Sequence, residues 1–484
     1  MATESPFLTA VLGALERGGD RVLVRHDGTE LTYREAFDLL RGLHAGLGPV
    51  RSVAVDLRNR PEAVLLPLAA MLRGATVLLV PASAAAADRR AAVAAAAVAT
   101  VVTDRPAAWP SGDVRTLADL RRAVPAPAGT AVVLGRVRVL FPTGGTTAAP
   151  KLIRHSGIYD GMAHIFRPDG ERQRVLVVAP LTHLTGHAAA LGALLGGHTV
   201  VLHDGFDAAE VLRTIETHRI TTLSLTPPRL AALLDHPARP ATDLTSVRAL
   251  SLGAAPLPPH RFAEALAVFG PVVGQGYGLT EAPMVASISA AELAGRPERL
   301  GSVGRIVPGM AARITDGQVE VRGLAMMDGY LGRPPIGDGW LPTGDLGRFD
   351  DEGYLYLLDR VDDVVVVGEH GTKVATTAVE HALATHPAVR DAAVFGVAGA
   401  DGHRLHAVVV AAGPLTAAEV RAHARAAFDR EHFVPSTVTF ADTLPLTGVG
   451  KVDKRALRAA VGSGVDPRSE VVALSPPRHD RPSP

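Results

Sequence analysis

Val53-Ala54-Val55-Asp56-Leu57 is an apolar run, and Ala75-Thr76-Val77-Leu78-Leu79-Val80 is another. Between them, residues 61–72 repeat apolar positions at helical spacing. Two buried strands joined through a helix form a parallel βαβ unit, because parallel neighbours need a long crossover. The pattern continues with a helix over 84–97 and a strand over 100–103. Upstream, Leu31-Thr32-Tyr33-Arg34-Glu35 opens a helix: Thr32 and Glu35 have capping-box spacing, and Phe37, Leu40, Leu43 and Leu47 supply its apolar stripe. Downstream the alternation resumes, with strands over 174–179, 198–202, 221–225, 248–252 and 271–275 and helices over 186–195 and 208–218. An apolar run over 132–140 reads as one more strand.

From about residue 300 the texture changes. Short strands over 301–304, 311–314, 318–322 and 354–357, split by Gly and Asp-Gly turns, predict a small antiparallel, barrel-like subdomain. Beyond Arg360 lies a compact pattern: strands over 363–367, 389–397 and 405–410, helices over 376–385 and 416–429. The expected architecture is α/β. A large N-terminal domain over 1–360 is built of βαβ subdomains plus the barrel-like piece. A small mobile α+β domain follows over 361–462, then a Pro- and Ser-rich tail over 463–484 that reads as disordered.

Composition narrows the function. Lys+Arg and Asp+Glu both number 49, so no basic excess points to nucleic acid or an anionic membrane. Cysteine is absent, which excludes disulfides, thiolate metal sites and cysteine nucleophiles. The most apolar segment, 64–80, is broken by Pro67, Arg73 and Gly74 and is no membrane span. The N-terminus lacks the basic region of a signal peptide. A cytoplasmic protein is expected.

Chemistry concentrates in five clusters. Thr143-Gly144-Gly145-Thr146-Thr147-Ala148-Ala149-Pro150-Lys151 offers hydroxyls, loop amides and a cation, the donor set a polyphosphate needs, without Walker A spacing. Alone it reads equally as an ordinary Gly/Thr turn. Gly274-Gln275-Gly276-Tyr277-Gly278-Leu279-Thr280-Glu281, taken as a loop after a strand, sets an aromatic ring between glycines and a hard oxygen nearby. Thr343-Gly344-Asp345-Leu346 reads as a tight Gly turn whose Asp suits a pair of ribose hydroxyls. Leu358-Asp359-Arg360-Val361-Asp362-Asp363 reads as a charged junction, with Arg360 able to pair with phosphate. Gly448-Val449-Gly450-Lys451 places a lysine on a flexible loop.

In order and approximate spacing, these clusters resemble the adenylate-forming (AMP-binding) enzymes: acyl- and aryl-CoA synthetases, peptide-synthetase adenylation domains and firefly luciferases. Pro180-Leu181-Thr182-His183, Gly253-Ala254-Ala255-Pro256-Leu257, Gly301-Ser302-Val303-Gly304-Arg305 and Gly371-Thr372-Lys373-Val374 match as well. The resemblance spans about 32–457. It implies ATP and Mg²⁺ as cofactors, a small carboxylic acid as substrate, and CoA as acceptor. A carrier protein, an amine or another nucleophile is the alternative acceptor. A non-catalytic nucleotide-binding regulator is a further alternative, against which the intact Glu281 and Lys451 speak.

Residue by residue, the resemblance implies that Thr143, Gly144, Gly145, Thr146, Thr147 and Lys151 cradle the terminal phosphates. Tyr277 with Gly253, Ala254, Ala255 and Pro256 would sandwich adenine. Thr280 would touch the α-phosphate, and Glu281 would hold Mg²⁺. Asp345, with Arg360 nearby, would bind ribose. Lys451 would bridge the acid and the nucleotide, His183 would lie near the acyl carboxylate, and Asp362 would be the hinge.

Two departures stand out. The family usually has Ser where Gly144 stands and Gly where Ala148 stands. An alanine resists positive φ by about 1 kcal/mol or more. No Asp accompanies the His183 motif to pair an amino group, so a simple acyl or aryl acid is expected rather than an amino acid. His183 and His187 have metal-ligand spacing, but without a third ligand a metal is not the preferred reading.

Overall fold

A computed structural model describes residues 4–122, 132–142, 151–168, 170–337, 339–367, 372–399, 402–448 and 450–462. The chain divides into two compact units. The first holds Met1–Thr343, Gly347–Leu357 and Gly448–Lys451; the second holds Gly344–Leu346, Leu358–Thr447 and the chain from Val452.

In the first unit, the apolar runs form two large sheets. One has the order Gly329–Tyr330, Leu152–His155, Val139–Pro142, Thr76–Leu79, Ser52–Asp56, Thr100–Thr103, Asp113–Arg115. Ser52–Asp56 pairs in parallel with both Thr76–Leu79 and Thr100–Thr103, as the βαβ reading requires. The other has the order Arg305–Ile306, Ala282–Ile288, Val273–Leu279, Ala249–Gly253, Thr222–Leu225, Arg174–Val177, Thr199–Leu202, Val22–His26, Thr29–Thr32. One hydrophobic cluster takes Val53, Val55 and Val77 from the first sheet and Val175, Val177 and Val200 from the second. Six helices contribute to it: Pro6–Gly18, Tyr33–Leu47, Pro61–Met71, Leu117–Arg122, Gly157–Ile165 and Leu184–Leu195. Leu184–Leu195 has no polar face and is buried along most of its length, as such a helix must be.

Two expectations need correction here. Only Val139–Pro142 of the 132–140 run is a strand; Val132 and Val133 are exposed, and Gly135, Arg136 and Arg138 interrupt the apolar alternation. The 301–304 segment is no strand. Pro297–Gly301 is a 3₁₀ turn, and Gly304 makes a single bridge to Leu355. The antiparallel region itself is a four-strand sheet, Met310–Thr315, Gln318–Gly323, Leu341–Phe349, Leu355–Arg360.

The second unit is a five-stranded sheet covered on both faces. Val389–Gly399 and Gly402–Ala411 form its long antiparallel pair, and Thr437–Phe440 joins in parallel. Val394, Leu405 and Val409 pack with Val379 and Val420 of helices Thr376–Leu383 and Ala417–Ala427. Phe395, Val408 and Val410 face the other way, against Leu457 of Lys454–Gly462. The strand period of two thus explains why both faces of this sheet are apolar.

Candidate active site

The Pro180–His183 segment is pinned from outside itself. The buried Asn59 amide donates to the carbonyls of Ala179 at 2.9 Å and His203 at 2.8 Å, and its Oδ1 accepts from the Leu181 amide at 2.7 Å. A Cβ at Gly186 would overlap the Pro180 carbonyl, so only glycine lets the helix start this close to the turn. His183 is the N-cap of that helix. Burial, with the positive charges of Lys451 and Arg229 nearby, pushes its imidazole down to about 4. His183 is therefore neutral at neutral pH.

His187, one turn later, is pushed down to about 4 by burial alone and stands edge-on to Phe141 and Tyr159. Among the described residues no group of three His, Asp or Glu side chains is placed to hold a metal.

Lys451 lies in the short stretch that groups with the first unit. Thr226 Oγ1 donates to the Gly450 carbonyl at 2.9 Å. Gly450 has φ 79°, and a Cβ there would come within 2.8 Å of Arg229 Nε. At Gly448 a Cβ would overlap the Ser83 hydroxyl. Both glycines are thus required where the loop lies against the first unit, and they bring Lys451 and His183 into electrostatic reach.

The Gly274–Glu281 motif is not a loop, as its glycines suggested. Val273–Leu279 and Ala282–Ile288 form a hairpin, and the motif occupies its first strand and turn. A Cβ on Gly278 would overlap the Pro283 carbonyl, and one on Gly253 would lie 2.6 Å from the Gly276 carbonyl. These glycines serve close backbone approach. Tyr277 is buried, while Ala254, at φ 70°, turns the neighbouring chain through a corner in which Ala254 and Pro256 are exposed and Ala255 is half-buried.

Glu281 Oε1 accepts a 2.9 Å hydrogen bond from the Tyr330 hydroxyl, whose pKa is raised by burial and by this carboxylate. Lys151 Nζ stands 5.7 Å from the Tyr330 ring centre. The Thr280 carbonyl lies 2.6 Å from His155 Nε2. The structure thus brings Thr280, Glu281 and Lys151 together around Tyr330. That residue and His155, like Asn59 and Arg229, escaped the sequence reading, because each arrives from a distant segment.

The Thr343–Asp345 motif also needs correction: it lies inside the strand Leu341–Phe349 rather than in a turn. Gly344 has φ 79°, and a Cβ there would come 2.9 Å from Arg360 Nη2, so this glycine makes room for a guanidinium. Arg360 Nη1 donates to Asp345 Oδ1 at 2.9 Å, and the Val361 amide donates to the Gly344 carbonyl at 2.8 Å. Asp345 and Arg360 are therefore joined within the second unit. Asp362 is exposed in the turn that follows. Thr343, in the first unit, donates to the Val319 carbonyl at 2.9 Å. Thr143, Gly144, Gly145, Thr146, Thr147, Ala148 and Gly371 lie outside the described residues, as does the 463–484 tail.

The donor set fits Mg²⁺ in one way only. Glu281 supplies a hard carboxylate oxygen, and no protein cage surrounds it among the described residues. Such a site suits a cation that takes its other ligands from phosphates and water.

Residues 13–331 match the model of the AMP-binding enzyme family, and residues 378–451 match that of the AMP-binding enzyme C-terminal domain. Feruloyl-CoA synthase of an Amycolatopsis species is 33% identical, over 91% of this chain and 96% of that protein. Medium/long-chain-fatty-acid–CoA ligase FadD8 of Mycobacterium tuberculosis is 38% identical over 66% of this chain, which spans 61% of that protein's length. The amide bond synthetase McbA of Marinactinospora thermotolerans superposes with a TM-score of 0.83 at 32% identity, covering 94% of this chain and all of that one, 100%. The o-succinylbenzoate CoA synthetase of Bacillus subtilis, solved with ATP and magnesium ion, gives 0.81 at 25% identity, covering 96% and 100%. The chain belongs to the AMP-binding enzyme family.

Proposed function

We propose that the enzyme joins a carboxylic acid to the α-phosphate of ATP, releases pyrophosphate, and passes the acyl group to CoA. The proximity of Lys451 to a neutral His183 within the first unit carries this reading. Acid and α-phosphate are both anionic, so alignment and charge neutralisation do most of the catalytic work. His183 carries no charge at neutral pH, which leaves neutralisation to Lys451, with His183 lining the acid. Mg²⁺ would screen the phosphates, held through Glu281.

Thr143, Gly144, Gly145, Thr146, Thr147 and Lys151 would hold the leaving pyrophosphate. Tyr277 and the Gly253–Pro256 corner would take adenine, Thr280 the α-phosphate, and Asp345 the ribose hydroxyls. Arg360 would fix the Asp345 carboxylate, and Asp362 would serve as pivot between the half-reactions. The setting would be cytoplasmic.

Incubation with acid, ATP, Mg²⁺ and CoA is expected to yield AMP and an acyl-CoA in equal amounts by mass spectrometry. The similarity to an amide bond synthetase favours a second reading, in which an amine takes the acyl group. Adenylate formation with CoA ignored and an amine acylated would select it. A carrier protein as acceptor would show as acylation of its phosphopantetheine thiol.

A further inference from the structure

A buried guanidinium normally has a carboxylate beside it, because an unpaired charge away from water is costly. Three little-exposed arginines of this chain follow that rule. Arg89 has Asp56 at 3.6 Å, Arg261 has Asp235 and Glu264 at 2.8 Å each, and Arg299 has Glu352 at 2.7 Å. Arg229 breaks it. It is 8% exposed, and among the described residues no carboxylate and no hydrogen-bond acceptor meets its guanidinium. The Phe206 ring stands 5.5 Å from the guanidinium carbon, a contact that attracts the charge without neutralising it. Burial lowers the Arg229 pKa, yet an arginine keeps its proton in a folded protein.

The fold places this charge beside the proposed chemistry. Strands Arg174–Val177 and Thr222–Leu225 are parallel neighbours, so the chain leaves both at the same edge of the sheet. One exit leads to His183 and the other to Arg229, at the edge where open α/β sheets bind ligands. Arg229 also lies against the lysine loop. Thr226 holds the Gly450 carbonyl, and a Cβ on Gly450 would come within 2.8 Å of Arg229 Nε. The fields of Lys451 and Arg229 both fall on His183, and no carboxylate adds to them. Two cations brought together in this way repel each other until an anion joins them.

We infer that Arg229 binds the reacting carboxylate of the acid, as a second cation beside Lys451. The inference rests on the adenylation reading and deepens it. The planar guanidinium fork matches a carboxylate with two parallel hydrogen bonds, a fit that an ammonium lacks. In the reaction one carboxylate oxygen bonds to the α-phosphorus while the bond from that phosphorus to the bridging oxygen breaks. The electron pair leaves on pyrophosphate, and no proton moves. Two anions must meet for this, His183 is neutral, and Arg229 supplies the second positive charge. The carboxylate gives up its charge as the new bond forms, so Arg229 holds the free acid more firmly than the transition state. Its loss is therefore read mainly in the KM of the acid.

The test is pyrophosphate exchange by the full chain with benzoic, cinnamic and octanoic acids, in the parent, Arg229→Met, Arg229→Gln and Arg229→Lys. With each acid the parent uses, Met and Gln at this position are expected to raise the KM of the acid about thirtyfold or more, the scale of losing one partner of a buried charge pair. The KM of ATP stays within about twofold, and Arg229→Lys recovers part of the loss. Arg229→Met is expected to melt no lower than the parent, because it removes a buried charge that no protein group pairs. An unchanged KM of the acid in folded Met and Gln variants would overturn the assignment while leaving adenylation standing. So would a loss confined to acids bearing a second carboxylate, tested with phthalic and adipic acids. Silence of the parent with every acid would overturn the adenylation reading and this assignment with it.

Discussion

Lys451→Ala is expected to lower the rate of acyl-adenylate formation about a hundredfold or more, the usual cost of removing one preorganised charge contact from a transition state. Lys451 is exposed, held in place by the backbone of its loop rather than by its own burial. Its truncation therefore leaves stability within about 0.5 kcal/mol of the parent. A single-turnover measurement of AMP formation, paired with thermal unfolding, separates the two effects. A second expected consequence is local: without the lysine charge, the His183 pKa rises from about 4 toward its ordinary value. Unchanged adenylation in a folded Lys451→Ala protein would remove the lysine from the mechanism.

Glu380→Ala is expected to destabilise the second unit by about 3 kcal/mol at pH 8, because it strands a largely buried cation. Glu380 Oε1 lies 2.7 Å from Lys454 Nζ and accepts from the Val394 amide at 2.7 Å. Lys454 Nζ also donates to Thr376 Oγ1 at 3.0 Å, and Asp359 accepts from both Thr376 and Thr377. The cluster ties the end of strand Leu355–Arg360 to helices Thr376–Leu383 and Lys454–Gly462. Burial pushes the Glu380 carboxyl up to about 7, against the pull of Lys454. The folded state thus holds this proton more tightly than the unfolded state, whose carboxyl titrates near 4.5. Stability contributed here falls as pH rises from about 4.5 to about 7 and is level above. Denaturant melts at several pH values should show that slope in the parent and lack it in Glu380→Ala. Glu380→Ala combined with Lys454→Met, which removes both charges, should recover most of the loss.

The βαβ alternation was legible because buried parallel strands read as uninterrupted apolar runs, as in residues 53–57 and 75–80. The Thr32–Glu35 capping box was equally plain, and both of its reciprocal bonds are present. Where glycine replaces side chains, periodicity has nothing to report. Gly274–Leu279 therefore reads as a loop yet is a strand, and Gly344 reads as a turn yet admits Arg360. Strand Leu152–His155 and its partner Gly329–Tyr330 are too short to signal themselves, so Tyr330 beside Glu281 went unseen. Asn59 is a similar case: its three bonds reach across 120 residues or more, and no local pattern encodes them.

Acid-dependent exchange of labelled pyrophosphate into ATP, with Mg²⁺ and without CoA, isolates the adenylation step. Exchange is expected to require the acid and the metal and to disappear in Lys451→Ala. Absence of exchange across fatty and aryl acids with a folded protein, or exchange indifferent to the acid, would contradict adenylation of an acid.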